Sequence, residues 1–166
     1  EERPVRLLKD MRQTFTEVVN NNENDLFPAE RVRNFIDGML AALGYTQEGN
    51  QTKDEGLPDR ISGKSVPVYY QVNDSDGAPR LQVLVSLSDS AEAGVLESPI
   101  EDGSGKDGTS CEEYARMLLA DFDEPARWIL IMGLHQIALI DRRKWNDKKC
   151  MLFDLDEIFS RHQDHV

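Results

Sequence analysis

The stretch from Arg127 to Phe159 constrains this chain more than any other. Trp128 to Met132 is apolar and rich in β-branched residues, Gly133 to Gln136 is turn-forming, and Ile137 to Ile140 is a second apolar run. Two such runs across a short glycine-containing loop predict a β-hairpin. Almost every position in both runs is apolar, the pattern of strands covered on both faces. A hairpin of that kind belongs in the middle of a layered α/β domain. Further on, Asp154 and Glu157 have the spacing of a capping box and predict a short helix.

The rest of the chain supplies layers for that hairpin. Val5, Leu8, Met11, Phe15 and Val18 recur at helical spacing and predict a helix over 5–19, with Pro4 in its first turn. Pro28 opens a second helix whose buried face is Val32, Phe35, Ile36, Met39, Leu40 and Leu43, ended by Gly44. Tyr45 to Gly63 reads as a loop. Ser65 to Val72 alternates as one strand, with Val66, Val68, Tyr70 and Val72 on one face, and Pro67 confines it to an edge. Asp76-Gly77 marks a turn into a partner strand, Leu81 to Leu87. The acidic, glycine-containing segment 89–109 predicts a long loop anchored at Val95-Leu96. Ser110 and Glu113 then form a capping box for a third helix, 111–121. The expected order is α-α-β-β-α-β-β-α: one α/β (α+β) domain over 1–166, its central sheet mixed or antiparallel, made of two hairpins and flanked by helices.

Charge narrows the function. The 166 residues carry a net charge of −12. Phosphate backbones repel such a chain as a whole. Yet Arg142, Arg143, Lys144, Lys148 and Lys149 crowd together directly after the hairpin, with Trp145 among them. These six are the candidate contact residues for DNA or an acidic partner. No apolar run approaches the roughly 20 residues of a membrane span. The opening residues carry no signal-peptide pattern, so a cytoplasmic location is expected. Cys111 and Cys150 are isolated and expected as reduced thiols.

Catalytic motifs are sparse. There is no G-x-S-x-G, no P-loop and no G-x-G-x-x-G; Gly103-Ser104-Gly105-Lys106 follows no predicted strand and reads as linker. His162 and His165 lack a third ligand nearby. Leu57-Pro58-Asp59 before a strand pair suits a Mg²⁺ nuclease of the restriction-enzyme type, which places an Asp near one strand and Glu-x-Lys on the next. Here that next strand reads Leu84-Val85-Ser86-Leu87-Ser88, with neither carboxylate nor lysine. Asp59 is therefore the lone catalytic candidate, and one carboxylate makes a poor Mg²⁺ site.

Arg127-Trp128-Ile129-Leu130-Ile131, Gln136 to Arg142, Lys144-Trp145 and Leu152 to Phe159 together resemble the N-terminal region of large bacterial DNA adenine methyltransferases of the type IIG restriction–modification kind, including those of DISARM-type phage-defence clusters. The resemblance spans about 35 residues and extends weakly to Leu57-Pro58-Asp59 and Leu81 to Leu84. It implies a restriction-endonuclease-like fold that has lost its nuclease residues. It also implies that the chain is the excised N-terminal domain of a longer protein, adjoining a methyltransferase domain. S-adenosylmethionine, and Mg²⁺, would belong to that parent, because this chain has neither Asn-Pro-Pro-Tyr nor a glycine-rich cofactor loop. Two other readings stand beside it: an acidic protein-binding module of the secretion-chaperone or DNA-mimic kind, and an active Mg²⁺ endonuclease.

Overall fold

A computed structural model describes residues 3–20, 28–45, 57–58, 65–88, 91–100, 108–120 and 125–160. Helices α1 (Arg3–Asn20) and α2 (Pro28–Ala42) come first. Two-residue strands β1 (Leu57–Pro58) and β2 (Ser65–Val66) pair with each other. Strands β3 (Tyr70–Asn73) and β4 (Pro79–Val85) form the first hairpin. Helix α3 (Cys111–Ala120) leads to the second hairpin, β5 (Trp128–Met132) and β6 (Gln136–Asp141). A 3-10 turn (Arg142–Asp147), strand β7 (Cys150–Asp154) and helix α4 (Leu155–Ser160) follow. The main sheet runs β3-β4-β5-β6-β7.

The sheet is mixed. β4 and β5 are parallel, Leu81 opposite Trp128 through Val85 opposite Met132. Parallel neighbours need a long crossover, which the segment containing α3 provides. The second hairpin sits centrally, as its unbroken apolar character requires. On β5, Leu130 and Met132 face the layer of α1, α2 and α4, whereas Ile129 and Ile131 face α3. On β6, Ile137 joins the first layer; Ala138 and Ile140 join the second.

Local chemistry accounts for the helix ends. At α3, the Ser110 N–H donates to Glu113 Oε2 (3.2 Å) and the Glu113 N–H to Ser110 Oγ (3.3 Å), the reciprocal box its spacing predicts. At α2, Gly44 takes φ +90°, and the Gly44 and Tyr45 N–H groups return to the carbonyls of Ala41 and Leu40. Six-residue α4 is too short to be stable alone. It is held by buried Leu155 and Phe159, whose ring lies 5.0 Å from Phe15 and 6.5 Å from Phe35. None of the described helices is long and apolar enough to cross a membrane.

Four expectations are corrected. The sheet has a fifth strand, β7, so it is more than two hairpins and the expected element order is incomplete. The stretch 65–72 is not one strand: Pro67 lacks the N–H that would continue the ladder, and the chain breaks over 67–69. Val66 and Val68 consequently pack with α3, while Tyr70 packs with α1 and α2, splitting the supposed single face between two layers. Leu43, expected in the buried face of α2, is exposed because the helix ends at Ala42. Leu57-Pro58, expected inside a loop, forms β1. The anchor expected at Val95-Leu96 is present: Val95 is buried against α3 and β5, and its N–H donates to Gln136 Oε1 (3.2 Å). The glycine loop 103–106, His162 and His165 lie outside the described residues.

Candidate functional site

The six candidate contact residues lie on or beside one compact turn between β6 and β7. Asp141 caps it: its Oδ1 accepts from the Arg143 N–H (3.0 Å), and Arg127 approaches its Oδ2 at 3.9 Å. Lys148 closes it in the left-handed conformation (φ 52°), its N–H donating to the Trp145 carbonyl (2.7 Å). Such a φ is unfavourable for a residue with a Cβ and reverses the chain sharply into β7. Trp145 is half-buried and packs onto the α3 layer, so it fixes the turn to the sheet. Arg142, Arg143, Lys144, Lys148 and Lys149 are exposed around it. Asp147 pairs with Lys149 at 3.4 Å. The result is a cationic knuckle, capped by Asp141 and anchored by Trp145, on a chain of net charge −12.

The first hairpin carries a different polar arrangement. Gln71 and Gln82 are opposite each other on β3 and β4. Gln82 Nε2 donates to Gln71 Oε1 (3.0 Å), and Gln71 Nε2 donates to Asn73 Oδ1 (2.8 Å). Gln82 is buried, and its Oε1 has no hydrogen-bond partner. This is a ladder of neutral amides. A divalent-cation site of the nuclease kind needs ionised carboxylates, which amides do not replace in charge. Asp59, the one catalytic candidate, lies outside the described residues. Among the described residues no group of three or more His, Cys, Asp or Glu side chains is placed to hold a metal ion.

Two concavities have some of their polar groups engaged internally. Beyond the ends of β4 and β5, Ser86 Oγ donates to the Pro99 carbonyl and Ser98 Oγ to the Gly94 carbonyl, both at 3.0 Å. His135, at the rim, sets Nδ1 2.9 Å from Asp156 Oδ2. Between α1 and α4 lies an open groove of about 600 Å³ lined by Arg12, Phe15, Asp154, Asp156 and Glu157, among others. Asp154 Oδ1 is spent capping α4, accepting from the Glu157 N–H (2.9 Å).

Sequence reading missed the surface next to the cationic turn. β7 is the outer strand of the sheet, and Met151, Leu152 and Phe153 are 52%, 56% and 41% exposed. The available signal was an apolar run of four residues between two lysines and an Asp-capped helix, short enough to read as the lead-in to that helix.

Compared with known proteins, the chain matches no family model, no curated protein and no solved structure.

Proposed function

We propose that this chain is a non-catalytic, nuclease-like N-terminal domain of a DNA restriction–modification or phage-defence methyltransferase, and that it contacts DNA or the adjoining domain through the cationic turn. The single observation that carries the reading is that turn: five exposed cations on a short segment that Asp141 caps and Trp145 anchors. Clustered cations bind phosphates and release counterions on binding. The mixed sheet, with its parallel β4–β5 pair and helices on both faces, is compatible with the endonuclease-type core that the resemblance implies. The neutral ladder of Gln71, Gln82 and Asn73 supports a scaffold that has no cutting chemistry on that hairpin.

The test is the salt dependence of duplex binding by the full-length protein, with Arg142, Arg143 and Lys144 replaced by Ala. If each cation neutralises one phosphate, the slope of log K against log salt flattens by about 0.9 for every phosphate left without its cation. An unchanged slope removes the DNA assignment. Mg²⁺-dependent cleavage by the purified chain, abolished by Asp59→Ala, would replace this reading with an active nuclease.

A further inference from the structure

The sheet ends on β7, and among the described residues no strand pairs with its outer edge. Its pairing with β6 is regular over five residues, without a bulge, from Gln136 opposite Asp154 to Ile140 opposite Cys150. It contains no proline, and its three middle residues are exposed and apolar. Monomeric proteins blunt such edges with charge, proline, bulges or cover.

The hydrogen-bond parity of the strand can be read from its neighbours. The Leu155 N–H donates to the His135 carbonyl (2.8 Å), and on the other side of β6 the Gly133 N–H donates to the Gln136 carbonyl (2.9 Å). Bonding direction alternates along an antiparallel strand. Met151 and Phe153 therefore bond to β6. Cys150, Leu152 and Asp154 turn their N–H and C=O groups outward.

We propose that β7 pairs antiparallel with β7 of a second copy of this chain, about a two-fold axis at Leu152, to give one sheet continuous across two subunits. Three features select a second copy in this orientation. Leu152 would face Leu152, bonded through its outward N–H and C=O. Met151 would face Phe153 on each side of the axis, on the same sheet face, giving apolar cross-strand pairs over the three central residues, with Cys150 facing Asp154 at either end. The strand is also electrically polarised: Lys148 and Lys149 precede it, while Asp154, Asp156 and Glu157 occupy its far end. Antiparallel pairing sets the basic end of each copy beside the acidic end of the other. Parallel pairing would set like charges together.

The proposal is tested by sedimentation equilibrium of the full 166-residue chain over a wide concentration range, with amide hydrogen exchange read at Leu152 and Asp154. The expected result is a concentration-dependent species of twice the chain mass in which both amides are slow. Leu152→Lys places two ammonium groups against each other at the axis. Its side chain is exposed, so the subunit fold and its circular dichroism should persist. Self-affinity should fall about tenfold or more, and both amides should exchange fast. Three outcomes overturn the proposal. The first is a chain that stays monomeric at every concentration with fast amides. The second is a monomer with slow amides, which means the chain covers its own edge. The third is a Leu152→Lys dimer of unchanged affinity, which means the copies meet elsewhere. No DNA enters the measurement, so its outcome is separate from that of the DNA reading.

Discussion

The ring of Phe159 lies 5.0 Å from the ring of Phe15, joining the last described helix of the chain to the first. Phe35 completes the cluster from α2, 5.7 Å from Phe15. α4 has too few residues to persist by its own hydrogen bonds, so this aromatic contact, with Leu155, decides whether it is formed. Phe159→Ala should cost about 3–5 kcal/mol of unfolding free energy, the usual range for a buried Phe. Hydrogen exchange should quicken first in α4. A loss under about 1 kcal/mol in a urea titration would show that α4 does not depend on the cluster.

Gly133 is a glycine of close approach. A Cβ there would meet Val95 Cγ2 at 3.0 Å and the Gln136 carbonyl oxygen at 3.4 Å. Gly133→Ala should therefore destabilise by about 1–3 kcal/mol through overpacking. Val95→Ala opens the space but leaves a cavity. The two changes share one contact, so the double variant should be less destabilised than the sum of the singles. Additive effects in a double-mutant cycle would remove the steric account.

Gln71 and Gln82 make different predictions. Gln71→Ala leaves the buried Gln82 Nε2 without its acceptor and should cost about 1–3 kcal/mol. Gln82→Leu removes the buried donor together with an acceptor that is already unsatisfied and leaves without its donor only the Oε1 of Gln71, which is half-buried, so it should cost less than Gln71→Ala. Thermal melts of both variants decide the point. Equal destabilisation would mean that Gln82 Oε1 has a role that burial alone does not explain.

Cys111 predicts an alkaline limb. Burial pushes its thiol up to about 12 from an ordinary 9.0, against the smaller opposing pull of a backbone hydrogen bond. The folded state thus holds the proton that the unfolded chain releases. Its contribution to stability is complete below about pH 9 and declines as pH rises toward 12, at about 1.4 kcal/mol per pH unit. Cys150 shifts in the same direction, first by burial and then by the charge of Glu112. Cys111→Ala should flatten the fall between pH 9 and 11 relative to wild type. In native protein at neutral pH, a thiol reagent should modify Cys150 well before Cys111, which is fully buried. Equal rates would contradict the burial.

Much of the fold is written in local signals. Ser110 and Glu113 satisfy each other within one turn, Gly44 can take a positive φ where other residues resist it, and the run from Trp128 to Ile140 is too apolar for anything but a central hairpin. The cationic turn was legible for the same reason, since its residues are adjacent in the chain. Each of these depends on interactions only a few residues long, and the amino-acid order specifies them directly.

Tertiary packing decided the rest. The parallel meeting of β4 and β5 depends on where the α3 crossover lands. The division of Val66 and Val68 from Tyr70 depends on which layer each half of a proline-broken strand can reach. The Gln71–Gln82 ladder required the register of two strands. β7 is the strongest case: Cys150 to Asp154 form a strand because β6 offers them a free edge, and no pattern within the five residues carries that information. A strand needs a partner for its hydrogen bonds, and the partner is chosen by the assembled sheet.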